Sequence, residues 1–348
     1  MISEHDVIDF FHSKDRTYIE NFMNSLLHPV SVTPDDSHSH CPYCGSSHIK
    51  KNGKDHLGHQ RFYCHECHHS FSEKTGTFLF HTHLSLDTWR RFIDYEVTGM
   101  SLKEEAYYLS LSITTCFYMR HKLYHAVMEL RDGEILSESA QLDSMYLKIN
   151  LKGTKPKNMP RISKKRGGSS AYRGISHHKI CVVCSLDSND HMIMNVTGLG
   201  EESFEKYQIN ERYFKDIKEI ISDSKTSIQQ FANHIKAANH KIPTVPNQKR
   251  YQTEHGESLA DINELMNEIA TLITVTKGFS TRYMQGYLEF QQMKKQMKYQ
   301  YKRKEIADEI LKRIIPTHEF RQVEVRETPM PISLKEAYYK YHYGIFAN

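Results

Sequence analysis

Four cysteines near the start of the chain fall into two closely spaced pairs, and this spacing limits the fold more than any other feature. Cys41 and Cys44 are separated by two residues, as are Cys64 and Cys67, and nineteen residues lie between the pairs. Structural zinc sites take four thiolate or imidazole ligands in a tetrahedron, and two such turns supply them. Metal binding also allows a short segment to fold without a large hydrophobic core. We therefore predict a zinc ribbon over residues 37–76, in which these cysteines bind a structural Zn²⁺.

Histidines and basic side chains accompany the cysteine pairs. His65, His68 and His69 are alternative metal ligands, but four cysteines already fill the coordination shell, so we interpret the histidines as surface groups. Lys50 and Lys51 lie between the pairs, and lysine commonly contacts DNA phosphates. We predict that Lys50 and Lys51 bind DNA. The alternative is a surface that only contacts solvent.

The composition excludes several classes of protein. The chain has 348 residues, 39% of them hydrophobic and 25% charged, so two or three folded domains are expected and extensive disorder is not. No apolar run reaches the roughly 18 residues of a membrane-spanning helix, and the N-terminus lacks the apolar stretch of a signal peptide. Because the cysteines have metal-site spacing, we predict a cytoplasmic protein with no membrane partner.

A helical segment follows the cysteine-rich segment. Ser85 can cap a first helix that ends at Gly99, a capping box from Ser101 to Glu104 opens a second, and a third begins near residue 113. This order predicts a helix-turn-helix DNA-binding domain over 77–133, with a plain three-helix bundle as the alternative. The residues predicted to face DNA share one face of the third helix or border it: Thr114, Thr115, Tyr118 and Lys122.

The stretch QLDSMYLKIN, residues 141–150, has the alternation of a strand and carries an acid among its apolar side chains. Its pattern places Asp143 on the same face as Met145, Leu147 and Ile149. A buried carboxylate is costly unless another group pairs with it. Asp143 is therefore a candidate site residue, unless it reaches solvent at the strand end.

A second acid ends a later strand, KEIISD, at Asp223. From residue 139 the predicted order is strand, hairpin, helix, strand, helix, which fits a mixed α/β sheet. If the two strands are neighbours, Asp143 and Asp223 converge. The repulsion between their carboxylates would then require a divalent cation. Enzymes that transfer phosphoryl groups with two metal ions have such a cluster of acids. The alternative is that Asp223 only opens the turn before the next helix. Ser227 is predicted to cap that helix, which leaves Asp223 free.

A third metal ligand is expected from the helix in SLADINELMNEIATLI, residues 258–273. Asn263 borders one edge of its apolar stripe, and Asp261 and Glu268 border the other edge. An asparagine carbonyl can bind a hard cation. The residues alone leave open whether the third metal ligand is Asn263 or one of the two acids.

Basic residues concentrate in two further places. Residues 154–173 contain no acid and are predicted to bind DNA through Lys155, Lys157, Arg161, Lys164, Lys165, Arg166 and Arg173. A second group predicted to contact phosphates comprises Lys294, Lys295, Lys298, Lys302, Arg303 and Lys304.

Several short motifs, taken in order, resemble a known family. They are CPYCG with YCHEC, QLDSMY, NLKGTKPKNMPRISKKRG, RGISHHKICVV, ISDSKTSIQQFA, INELMNEI and GFSTRYMQGYLEF, and they span about residues 40–300. The chain resembles a bacterial insertion-sequence transposase with an N-terminal zinc ribbon and a DDE-type, RNase H-like catalytic domain.

The resemblance implies catalytic Asp143, Asp223 and Asn263 with Mg²⁺ or Mn²⁺. It also implies binding of terminal inverted repeats and target DNA by a homodimer or larger assembly, associated with the bacterial nucleoid. Met266-Asn267 and Ala270 depart from the family pattern, which motivates the alternative of a decayed or repurposed DNA-binding protein without catalysis. A nuclease that cuts without joining is a further alternative. The predicted domains are 1–36 (helical segment and linker), 37–76 (ribbon), 77–133 (helix-turn-helix), 134–315 (catalytic) and 316–348 (tail).

Overall fold

The computed structural model describes residues 39–55, 58–154, 174–223, 225–242 and 258–338. Three groups of predictions fall outside these ranges: the N-terminal helical segment, the seven basic residues of 155–173, and the end of the C-terminal tail. The chain divides into two compact units. The first contains the described residues through Phe117 together with Gln300–Arg321, and the second contains Tyr118–Tyr299 and the described residues from Gln322 onward.

The first unit begins with a small antiparallel sheet in the order β1-β2-β3. Its strands are β1 (Ile49–Lys54), β2 (Gln60–Cys64) and β3 (Ser70–Ser72). A compact cluster of Phe62 and Phe71 with Cys41 and Cys64 forms its core. So few apolar residues make a marginal core, which is consistent with the expectation that metal binding holds this segment together.

Three helices follow as the capping signals predicted. They are α1 (Leu86–Thr98), α2 (Leu102–Leu109) and α3 (Ile113–Arg131). Ser85 caps α1 through the N–H of Thr88, and the capping box of Ser101 and Glu104 opens α2. Gly99 ends α1 with φ of 85°, a conformation that costs glycine little because it lacks a Cβ atom.

Residues 300–321 belong to the first unit although they follow most of the second in sequence. Their helix α8 (Ile306–Ile314) packs on α1, where Asp308 accepts a hydrogen bond of 2.5 Å from Arg90. Phe78 also donates its N–H to the carbonyl of Ile315. The predicted catalytic domain runs to residue 315, whereas the observed second unit does not include α8. Long-range packing, and not chain order, places α8 in the first unit.

The second unit is built on a mixed five-stranded sheet in the order β6-β5-β4-β7-β8. Antiparallel pairing joins β4 to β5 and β5 to β6, whereas β4, β7 and β8 are parallel. The predicted mixed sheet with an antiparallel hairpin is confirmed. The strands are β4 (Ser137–Lys148), β5 (Lys179–Asp187), β6 (Met192–Leu199), β7 (Asp216–Ser222) and β8 (Ala238–Lys241).

Helices flank this sheet. They are α4 (Phe204–Gln208), α5 (Thr226–Ile235), α6 (Ala260–Val275), α7 (Met284–Gln300), α9 (Gln322–Glu327) and α10 (Leu334–Tyr338). Ala140 and Leu142 of β4 join a core with Tyr207 and Phe231, while α6 contacts β4 and β5 and buries Leu265. The alternation of β4 predicted an apolar face on the Asp143 side, and the structure adds a second buried face. Because helices are available on both faces, the residues alternating with Asp143 are buried too.

Two further features concern β5 and α5. Cys181 and Cys184 lie in β5, and both are fully buried in the core. Helix α5 starts at Thr226 with Lys225 as its N-cap residue, so the prediction of Ser227 as its cap is wrong. Among the residues that the structure describes, none of the helices is both long and apolar enough to cross a membrane.

Candidate active site and metal centre

The four predicted zinc ligands lie together at one end of the small sheet. The sulfur atoms of Cys41, Cys44, Cys64 and Cys67 are all within 4.8 Å of one another. Sγ of Cys41 is 3.6 Å from Sγ of Cys67, and the Sγ atoms of Cys44 and Cys64 are also 3.6 Å apart. A tetrahedron with zinc–sulfur bonds of about 2.3 Å requires sulfur separations of about 3.8 Å. The predicted clustering is confirmed, and the four thiols fit one zinc ion.

The backbone forms the same turn at each cysteine pair. The N–H of Gly45 donates to the carbonyl of Cys41, and the N–H of His68 donates to the carbonyl of Cys64. Gly45 and His68 both have positive φ, 74° and 61°. Backbone N–H groups of the second turn, first that of Cys67, lower the pKa of Cys64 to about 6. A thiol that ionises this readily is suited to binding a metal as the thiolate.

The histidines near the second pair contact other aromatic rings. The ring of His65 stacks on that of His48 with centroids 4.6 Å apart, and Nδ1 of His68 lies 3.0 Å from the Tyr63 hydroxyl. The ring of His69 lies 4.7 Å from that of Tyr43. The cluster of metal ligands formed by the four cysteines includes none of these three histidines. This arrangement agrees with the interpretation of the histidines as surface groups.

The candidate DNA-binding residues of the first unit are accessible. Lys50 and Lys51 are exposed on β1, and the ammonium of Lys50 lies 5.4 Å from the centre of the Tyr63 ring. Thr114 is exposed near the start of α3. Thr115 is half-buried, and the hydroxyl of Ser112 accepts a hydrogen bond from its N–H. Thr115 therefore belongs to the cap of α3 as well as to its exposed edge.

Farther along α3, in the second unit, Tyr118 already has a partner. Arg326 donates to the Tyr118 hydroxyl over 2.6 Å, and its guanidinium lies 5.4 Å from the ring centre. Lys122 is half-buried and has interactions of its own. Of the basic group near α7, Lys295 is buried and bridges Glu264 and Glu268 at 3.3 and 3.2 Å. Lys295 is therefore not available for phosphates, so its prediction as a phosphate contact is wrong.

The sheet brings Asp143 and Asp223 together. Strands β4 and β7 are parallel neighbours, and their last paired residues are Leu142 and Ser222. Asp143 is the next residue of β4, and Asp223 immediately follows the end of β7, so the two acids lie side by side at the carboxyl end of β7. Asp143 Oδ1 also accepts a hydrogen bond of 2.7 Å from the N–H of Ser144, which fixes its orientation.

Lys225 lies between the two aspartates. Its Nζ is 3.5 Å from Oδ1 of Asp143 and 3.2 Å from Oδ2 of Asp223. The second oxygen of Asp223 accepts from the Lys225 N–H over 3.1 Å. Asp223 therefore does open the turn before α5, as the alternative interpretation held, while its other oxygen contacts the Lys225 ammonium.

A third carboxylate, Glu202, reaches the same lysine. Glu202 lies between β6 and α4, its side chain is 1% exposed, and its Oε1 is 2.5 Å from Nζ of Lys225. The sequence reasoning missed this residue because the GLGEES stretch has no periodicity to give its side chains a direction. An acid shortly after the predicted hairpin was the signal that the sequence offered.

These contacts determine the electrostatics of the cluster. Burial has the largest influence on Asp143 and raises the pKa of its carboxyl, although the Lys225 ammonium favours the charged form. Burial also disfavours the charge on Lys225. The close contact with the Glu202 carboxylate and the charges of the two aspartates outweigh that effect and raise the pKa of the ammonium above its usual value. Among the described residues, the three carboxylates thus face one shared ammonium.

Helix α6, which carries the predicted third ligand, begins beside this cluster. Gln141 of β4, two residues before Asp143, donates to Asp261 over 2.7 Å and accepts from the N–H of Ile262 over 3.0 Å. Asn263 is the next residue and is exposed. Glu268 lies farther along α6, where it pairs with Lys295. The start of α6 is thus anchored to β4 near Asp143, whereas Glu268 has a cationic partner elsewhere.

Comparisons with known proteins do not assign the chain to a family. No protein family model matches it, and no curated protein matches it. Among solved structures, the chain is similar to one in the crystal structure of a pre-cleavage Mos1 transpososome, with 8% sequence identity and a TM-score of 0.16. The match covers 64% of this chain and 78% of that chain. A TM-score this low supports no conclusion about fold or function, so the function is proposed from the site.

Proposed function

We propose that the chain is a metal-dependent DNA transposase, a polynucleotidyl transferase whose second unit is an RNase H-like catalytic domain. The observation that carries the proposal is the convergence of Asp143 and Asp223 at one edge of two neighbouring parallel strands. Their carboxylates share the ammonium of Lys225. Two acids held this close repel each other and are stabilised by added positive charge.

Mg²⁺ or Mn²⁺ fits the donor atoms present. Both ions prefer carboxylate and other oxygen ligands, and the Lys225 ammonium shows that the space between these oxygens accommodates a cation. Asp143 and Asp223 would hold the ion, and Asn263 is the proposed third ligand because α6 begins beside Asp143. Asp261 and Glu268 are the alternatives, although Gln141 and Lys295 already bind them. Such ions activate an attacking oxygen and stabilise the leaving oxygen in phosphoryl transfer.

The remaining parts of the chain would bind and position DNA. We propose that the ribbon, through Lys50 and Lys51, and the helix-turn-helix, through Thr114 and its neighbours, hold terminal inverted repeats. The basic segment 155–173 would contact the phosphates of the repeats or of target DNA. Asp143 and Asp223 would position the reacting phosphate for hydrolysis and then for attack by the freed 3′-hydroxyl. Transposition would require the two ends of the mobile DNA element to be held together, so we propose a homodimer or larger assembly.

A strand-transfer assay tests the proposal. The full chain is incubated with Mg²⁺, a target plasmid and labelled DNA carrying the inverted repeats that border its coding sequence. Joined products support a transposase, cuts without joining support a nuclease, and bound but intact DNA supports a DNA-binding protein without catalysis. Asp143→Asn and Asp223→Asn should abolish joining and leave DNA binding intact, because each removes one charge at nearly constant volume.

Asp216→Asn is the matched control, because Asp216 is an exposed aspartate at the opposite end of β7 from Asp223. It should join as well as the unchanged protein. Joining that persists in Asp143→Asn or Asp223→Asn would overturn the assignment of the site.

A further inference from the structure

Glu202 is the most deeply buried carboxylate of the cluster around Lys225. Its side chain is 1% exposed, against 18% for Asp143 and 20% for Asp223. Both of its carboxylate oxygens are shielded from solvent and accept no hydrogen bond of good geometry from the residues that the structure describes. The Lys225 ammonium, 2.5 Å from Oε1, is the cation that accompanies it.

The backbone around Glu202 directs its side chain into the cluster. The N–H of Glu202 donates to the Tyr146 hydroxyl on β4 over 3.3 Å. The ammonium of Lys206 donates to the carbonyls of Leu199 and Glu201, which tie the preceding loop to α4. The position of Glu202 is therefore set by β4, on which Asp143 lies, and by its own loop.

One lysine does not meet the requirements of three carboxylates. A buried carboxylate accepts several hydrogen bonds or a metal ion in most proteins, because its desolvation is otherwise poorly offset. Here one ammonium faces oxygens of all three acids, at 3.5, 3.2 and 2.5 Å. This is the arrangement expected where an ammonium occupies the place of a divalent ion. Lys225 is one-third exposed and has a flexible stem, so it can move toward solvent.

We propose that Glu202 is a further carboxylate ligand of the divalent metal site, and that Lys225 occupies the place of the metal until an ion displaces it. The inference rests on the proposed function, since it adds a ligand to the site of Asp143 and Asp223. Metal and lysine then compete for the same oxygens. Loading the site exchanges the ammonium for the ion.

Direct measurement of Mn²⁺ binding tests this inference without any DNA reaction. The full chain, freed of loosely bound metal by gel filtration so that thiolate-bound zinc is retained, is titrated with Mn²⁺. Binding is followed by calorimetry and by the electron paramagnetic resonance signal of free Mn²⁺. Glu202→Gln should weaken binding by at least roughly tenfold, the lower end of losses seen even for partners outside the first ligand shell. Lys225→Met should tighten binding, because the competing cation is gone.

Glu201→Gln is the matched control, since Glu201 is the exposed neighbour of Glu202, and it should bind Mn²⁺ as the unchanged protein does. Should Glu202→Gln fold poorly by circular dichroism, the double variant Glu202→Gln with Lys225→Met removes both charges. It is then compared with Lys225→Met alone, with the same tenfold difference expected.

The outcomes separate this inference from the proposed function. If Asp143→Asn loses Mn²⁺ and Glu202→Gln retains it, Glu202 is not a ligand, and the proposed function stands. If Asp143→Asn and Asp223→Asn both bind Mn²⁺ normally, the proposed metal site itself is overturned. Unchanged affinity in Lys225→Met would overturn the competition between lysine and metal.

Discussion

Replacing Lys225 by methionine should destabilise the protein when no divalent metal is present. The substitution keeps the apolar stem and removes the ammonium that faces Glu202, Asp143 and Asp223. Among the described residues, three carboxylates then remain close together with no cation between them. Their repulsion and the burial of Glu202 both oppose folding, because neither exists in the unfolded chain.

The magnitude follows from the geometry. At an effective dielectric constant of about 20, a unit charge pair 3.2–3.5 Å apart attracts by about 5 kcal/mol. Most of that attraction is offset by desolvation, and breaking a buried ion pair typically costs about 3–5 kcal/mol. Lys225 is one-third exposed, so we expect the lower value, about 3 kcal/mol. For a domain of this size that loss lowers Tm by about 6–12 °C.

Differential scanning calorimetry in buffer without divalent metal, and again with Mn²⁺, measures the effect. Mn²⁺ at a hundred times its Kd should restore about 2.7 kcal/mol. Lys218→Met is the matched control, because Lys218 forms an exposed pair with Glu138 over 2.8 Å. Loss of that pair should change stability by less than about 1 kcal/mol. Equal stability of Lys225→Met and Lys218→Met without metal would refute the reasoning, as would a Lys225→Met variant that Mn²⁺ does not stabilise.

Metal analysis of the purified chain should find about one tightly bound zinc ion per chain. The double replacement of Cys41 and Cys44 by serine should remove this zinc and unfold the ribbon. A full zinc content in that variant would contradict the site. Burial lowers the pKa of His121 to about 3, below its value in the unfolded chain. The neutral side chain therefore contributes fully to stability above about pH 6.5, and the free energy of unfolding decreases on acidification, by about 2 kcal/mol at pH 5. Urea unfolding at pH 7 and pH 5 checks this, and His121→Phe should flatten the dependence. Asn263→Ala should weaken Mn²⁺ binding whereas Glu268→Ala should not, because Glu268 already pairs with Lys295; the reverse result would place the third ligand on the other edge of α6.

Features that depend on near neighbours in the chain could be read from the sequence. The two cysteine turns close through hydrogen bonds four residues apart, so their spacing alone implies the shape of each turn. Ser85, Gly99 and the Ser101–Glu104 box mark helix ends because capping is also a local interaction. Ser227 shows the limit of this approach, since the capping pattern lies two residues beyond the observed N-cap residue, Lys225.

Features that depend on distant parts of the chain needed the folded structure. Strand β4 is buried on both faces because helices that are distant in sequence pack on each of them. The alternation of residues within one strand cannot reveal this. Lys295 looks like a free basic residue in the sequence, yet α6 supplies two acids that occupy it. Tyr118 likewise meets Arg326, more than two hundred residues later.

The candidate site divides in the same way. Asp143 could be recognised from the sequence because an acid on an apolar strand face is costly wherever the strand packs, and Asp223 because it ends a short apolar strand. Their contact depends on the parallel pairing of β4 with β7, and the approach of Glu202 and Lys225 depends on loops that meet only in the folded sheet. Local periodicity determines which face a side chain takes, whereas only the path of the whole chain decides which charges become neighbours.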